Sequence, residues 1–98
     1  MYDSKLKSKE TDSLFKAILS LKNEEECYRF FEDLCTINEI KSLSQRMEVA
    51  SLLQQGLTYT VIEDRTGAST ATISRVNRSY LYGAQGYQLV LDRMQKNR

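Results

Sequence analysis

Apolar residues recur at helical spacing nearly throughout the chain, and proline is absent, so the pattern reads as all-α. Leu14, Phe15, Ile18 and Leu21 make one stripe after a helix start at Thr11 or Asp12. A second helix begins at Asn23. Its first turn holds Glu24, Glu25 and Glu26, where negative charge suits the helix dipole, and Cys27, Phe30, Phe31 and Leu34 form its apolar face. In the following "TINEIKSLSQRMEVASLLQQG", Thr36 and Glu39 have capping-box spacing and Gly56 is a natural stop. Between them Ile37, Ile40, Leu43, Met47, Ala50 and Leu53 line one side, while Val49 and Leu52 add an apolar surface beside it. So wide an arc needs cover on more than one side: the two preceding helices supply part of it, and a partner chain the rest.

After Gly56 the elements shorten. Thr58 caps a helix running to about Arg65 or Thr66, Gly67 takes the left-handed conformation that ends it, and Ser69 or Thr70 caps the next. Two short helices joined by a glycine-bearing turn make a helix-turn-helix over about 58–80. Gly83 and Gly86 bracket a loop before a last amphipathic helix, about 86–95, carrying Tyr87, Val90, Leu91 and Met94. No internal repeat or low-complexity linker interrupts the 98 residues, which read as a single domain. A core this small leaves stability thin unless a second copy adds buried surface.

The helix from about Thr70 to Tyr80 differs from the others in its surface chemistry. Ile73, Val76 and Tyr80 fall at i, i+3 and i+7, a narrow seam that docks it. The remainder, Thr70, Ala71, Thr72, Ser74, Arg75, Asn77 and Arg78, gains little helix propensity from its hydroxyls and has little need of burial. Short side chains at the start of an exposed helix let the backbone approach a surface closely. In a DNA major groove such a helix meets base edges through hydroxyls and apolar groups, and arginine bridges guanine or neutralises phosphate. The candidate DNA-contacting set is Thr60, Ser69, Thr70, Ala71, Thr72, Ser74, Arg75 and Arg78. A capped surface helix with solvated arginines is the plainer alternative.

Charge is unevenly distributed, with the C-terminal part the cationic end, although a charged patch is more often just a solvated face. The formal net charge is only +1, yet residues 10–40 carry a net −5 and residues 41–98 a net +4. The N-terminus "MYDSKLKSKE" has no hydrophobic signal segment and no apolar run approaches a bilayer span, so the expected location is the cytoplasm. Disulfides are then not expected. With two cysteines, Cys27 and Cys35, and no histidine, neither a zinc set nor a Cys-His nucleophile pair can form within one chain. Both cysteines are expected to serve as small core hydrophobes.

"TINEIKSLSQRMEVASLLQQG" followed by "GASTATISR" resembles the Trp repressor family, and the whole chain resembles its branch of YerC/YecD type. The likeness in motif covers about Thr36 to Tyr80, and the preceding helices agree in layout. Glu63 departs from the small residue that a helix-turn-helix often has inside its first helix. The resemblance implies an intertwined all-α homodimer of about six helices per chain, with a dimerisation core over about 10–56. It also implies binding to duplex DNA at half-sites about one helical turn apart. Two arginines that flank the tryptophan corepressor in the family match Arg46 and Arg75, while Thr36 and Ser79 match residues at the ligand pocket. Tryptophan or a related aromatic effector is thereby implied. Val76, however, stands where the Trp repressor has a glycine that leaves room for the ligand, and the segment between Gly56 and Gly67 is one residue shorter than in the Trp repressor. Arg46 and Arg75 alternatively pair with acids such as Glu48 or bind phosphate.

The expected function is therefore a sequence-specific DNA-binding transcriptional regulator, a repressor acting by occlusion. The alternative is a dimeric adapter that grips a protein with the same exposed helix. Enzymatic activity is not expected: without histidine, acid-base work would fall on carboxylates or tyrosines, and no glycine-rich phosphate loop or metal set appears.

Overall fold

A computed structural model describes residues 2–96 of the chain. Those residues form six helices and no strand: α1 (Lys9–Leu19), α2 (Glu24–Leu34), α3 (Ile37–Gln54), α4 (Tyr59–Thr66), α5 (Thr70–Tyr82) and α6 (Gly86–Lys96). The expected all-α class stands. The chain divides into two compact units, Met1–Ile37 with α1 and α2, and Asn38–Arg98 with the remaining helices.

In the first unit the helix starts are set by local side-chain acceptors. α1 begins earlier than the Thr11 or Asp12 start expected from its apolar stripe, because Ser8 Oγ accepts the Thr11 N–H at 3.0 Å. Lys7 also reaches forward to Asp12, their closest approach being 2.7 Å. Asn23 caps α2 as expected, accepting the Glu26 N–H at 3.0 Å, and the Glu26 carboxylate in turn accepts the Lys22 N–H at 2.8 Å. Such a cap is worth about 1 kcal/mol. Neither α1 nor α2 contains a buried residue. The expectation that Cys27 and Cys35 sit in the core fails within this chain: Cys27 is exposed and Cys35 half-buried, because the face they share with Phe30 and Phe31 is not enclosed.

The second unit holds the core. Val49, Ala50 and Leu52 of α3, Ile62 of α4, Ala68 in the turn, Ile73 and Val76 of α5 and Leu91 of α6 are all buried. Met47, Leu53, Leu57, Tyr59, Tyr80 and Tyr87 pack around them. α3 ends in a Schellman arrangement: the Gly56 N–H donates to Leu53 O at 3.0 Å, the Leu57 N–H donates to Leu52 O at 3.2 Å, and Gly56 sits at φ +82°. This turns the chain sharply towards α4. α6 is tied back to α3 by polar contacts, with Gln95 Nε2 donating to Gln54 Oε1 at 2.8 Å and Gln54 Nε2 to Asp92 Oδ1 at 3.4 Å.

The arc on α3 is only partly used. Its C-terminal half is packed, but Ile37 remains 76% exposed and Leu43 44% exposed.

Between α4 and α5 the turn is held at several points. Gly67 closes α4 in the left-handed region, at φ +73°, and its N–H donates to Glu63 O at 2.9 Å. Nothing lies within 4 Å of where a Cβ would stand on Gly67, so substitution meets backbone strain and no clash. Gly67→Ala is accordingly expected to cost about 1 kcal/mol in urea-induced unfolding, the left-handed penalty alone. A loss several times larger would show that side-chain crowding, absent from this geometry, governs the turn.

Candidate nucleic-acid interface

α5 forms because Ser69 supplies its cap and its apolar residues recur on one side. Ser69 has extended backbone, and its Oγ accepts the Thr72 N–H at 3.1 Å. Ile73 and Val76, at 0% and 2% exposure, anchor one face in the core, with Tyr80 half-buried beside them. The helix runs to Tyr82, two residues past the expected end.

The opposite face is open. Ala71, Ser74, Arg75 and Arg78, at i, i+3, i+4 and i+7, are exposed and line one shallow depression of about 230 Å³. α5 carries no acidic residue. Neither Arg75 nor Arg78 forms an ion pair among the described residues, where the pairs found are Lys7 with Asp12 and Arg29 with Glu25. Two guanidinium groups therefore project from one helix face with their hydrogen-bond donors available.

Four further hydrogen bonds brace the turn between α4 and α5. Thr66 Oγ1 donates to Ile62 O at 2.7 Å and accepts the Ala68 N–H at 3.1 Å. Gln45 of α3 donates from Nε2 to Thr66 O at 3.2 Å, so the turn is braced from behind. Across the turn, Thr70 Oγ1 donates to Glu63 Oε1 at 2.6 Å. Ala68 is 4% exposed, a small residue packed beneath the turn.

The expected DNA-contacting residues thus separate. Ala71, Ser74, Arg75 and Arg78 share the outer face. Thr60 is exposed in the first turn of α4. Ser69 is engaged as the cap, Thr72 is half-buried at the helix flank, and the Thr70 hydroxyl is taken by Glu63. Neither Glu63 nor Gln45 belonged to the expected set. Glu63 was visible in the sequence as a departure from the helix-turn-helix pattern; Gln45 carried no such signal, because its role depends on where α3 crosses the end of α4.

The residues matched to an effector pocket are more scattered in character. Arg46 is half-buried on α3, Arg75 and Ser79 are exposed on α5, and Thr36 is exposed immediately before α3. Arg46 is not among the residues lining the depression that holds Arg75. The expected alternative, an ion pair of Arg46 or Arg75 with an acid such as Glu48, does not form among the described residues. Val76 points into the core. No helix among the described residues is long and apolar enough to cross a membrane.

Comparison with known proteins gives a consistent picture. Residues 9–95 match the family model described as Trp repressor protein. The chain is 62% identical over 96 residues to the uncharacterized protein YerC of Bacillus subtilis (strain 168), covering 98% of this chain and 92% of that protein. Among solved structures, a TrpR-like protein from Eubacterium eligens ATCC 27750 superposes with a TM-score of 0.91 at 59% identity, covering 95% of this chain and 96% of the other. A candidate Trp repressor from Staphylococcus aureus superposes with a TM-score of 0.90, also at 59% identity, covering 93% and 91% respectively. With the helix-turn-helix geometry, the family model over nearly the whole length and these relatives in agreement, the chain belongs to the Trp repressor family.

Proposed function

We infer that the protein is a homodimeric, sequence-specific DNA-binding regulator that represses transcription by occupying an operator. The observation that carries this reading is the outer face of α5, where Ala71, Ser74, Arg75 and Arg78 are presented together while Ile73 and Val76 lock the opposite face. Small residues let the helix approach base edges, and the two arginines supply bidentate donors for guanine or phosphate. Selection of duplexes from a random library tests it directly. An enriched sequence bound at about 10⁻⁸ M or tighter at physiological salt is expected, with affinity falling steeply as salt rises. Binding that stays near the weak non-specific range for every duplex would remove the reading.

Dimerisation is supported by apolar surface that one chain leaves open. Neither α1 nor α2 contains a buried residue, with Phe15 49% and Leu34 48% exposed, and on α3 Leu43 is 44% exposed. Covering apolar surface gains roughly 25 cal/mol per Å². Leu43→Asp places a charge on the open apolar side of α3 and is expected to convert a dimer into a monomer, read by sedimentation equilibrium at micromolar concentration. A dimer unchanged by the substitution would place the contact elsewhere.

In this reading the head needs no aromatic effector. Val76 occupies the place of the glycine that makes room for the ligand, and its side chain is part of the core. Adding L-tryptophan is expected to shift operator affinity by less than about fivefold, below the usual range of an allosteric coupling.

A further inference from the structure

The contact between Glu63 and Thr70 bears on what the reading head prefers. A carboxylate accepts and does not donate, and a threonine hydroxyl has one proton. At 2.6 Å that proton is committed to Glu63 Oε1. What Thr70 can offer outward is then lone pairs only, and the second carboxylate oxygen adds another acceptor beside it. Thr70 is the first residue of α5, exposed, and immediately precedes Ala71 on the outer face.

Most of what duplex DNA presents to such a group is also an acceptor: phosphate oxygens, N7 and O6 of guanine, N7 of adenine and O4 of thymine. The major-groove donors are the amino groups of adenine and cytosine. A threonine with its proton free tolerates either kind. One whose proton is held does not. The carboxylate also places negative charge near the start of α5, where the helix dipole would otherwise draw a phosphate. Both effects steer this end of the helix away from the backbone and towards a base edge.

We propose that Glu63 and Thr70 together form an acceptor-only reading element that selects an amino-bearing base, adenine or cytosine, at one position of each half-site. The proposal rests on the DNA-binding reading above. It assigns Glu63 a specificity role exerted through Thr70, while Arg75 and Arg78 supply the donors at neighbouring positions.

The test is duplex selection from a random library with the full-length wild type, Glu63→Gln and Thr70→Val, each checked for an unchanged helical spectrum and thermal midpoint. Glu63→Gln keeps the size of the side chain but can present an amide donor; Thr70→Val keeps the shape and removes the hydroxyl. For the wild type, one position per half-site is expected to favour adenine or cytosine over guanine and thymine by about tenfold or more. Both variants are expected to reduce that preference to about twofold or less there, with preferences at the other positions retained. A wild-type site whose base preferences survive unchanged in both variants would overturn the proposal and leave the DNA-binding reading intact. Loss of preference at all positions alike would also overturn it, since Glu63 would then act on the whole head. If the wild type enriches no duplex, the DNA-binding reading falls and the proposal falls with it.

Discussion

Alanine at both Arg75 and Arg78 is expected to lower affinity for the selected operator by about two to four orders of magnitude while leaving the fold intact. Each arginine in a good bidentate contact contributes about 1–3 kcal/mol of discrimination, and the two act from one face of α5. Neither side chain is part of the core, and neither has an ion-pair partner among the described residues. Removing them should therefore cost little stability, as for most exposed positions. The single substitutions separate the roles. An arginine that reads a base relaxes specificity at one position, whereas one that neutralises phosphate weakens all duplexes evenly and lowers the salt dependence by about one counterion. Fluorescence anisotropy at several salt concentrations distinguishes them. Unchanged affinity in the double variant would mean that α5 is not the reading helix.

Leu52→Ala is expected to destabilise the protein by about 2–5 kcal/mol, the usual range for truncating a buried leucine. Leu52 is 1% exposed, belongs to the core that positions α4 and α5, and offers the carbonyl that accepts the Leu57 N–H at the end of α3. A chain of this length loses several degrees of thermal midpoint per kcal/mol, so a fall of more than about 10 °C is expected by calorimetry or circular dichroism. DNA affinity measured well below the new midpoint should change far less, since Leu52 lies on α3 and not on the outer face of α5. A loss of only a degree or two would imply that the core around Leu52 collapses readily into the space.

The two effects differ in kind because the reading helix has two faces with separate duties. Ile73 and Val76 determine where α5 sits, and Arg75 and Arg78 determine what it meets. Interleaving them at helical spacing lets one thirteen-residue element serve both.

Much of this was legible in the chain itself, and the legible part is local. The caps at Asn23 and Thr58 and the glycine stops at Gly56 and Gly67 stand where the sequence places them, and of the two cap candidates Ser69 and Thr70 the structure uses Ser69. A cap or a left-handed stop involves groups no more than about five residues apart, so residue type and spacing suffice. The same holds for the α5 seam. α1 was harder because Ser8, Thr11 and Asp12 are all competent cap residues, and spacing alone did not choose Ser8.

Tertiary structure decided the rest, since it depended on the angle at which one helix meets another. Apolar spacing marked the whole arc of α3, but only packing selected Val49, Ala50 and Leu52 for the core and left Ile37 and Leu43 open. The brace from Gln45 to Thr66 spans 21 positions, and that from Thr70 to Glu63 spans seven across a turn. No periodicity encodes such pairs, because they exist only once the crossing of α3, α4 and α5 has brought their polar atoms within reach.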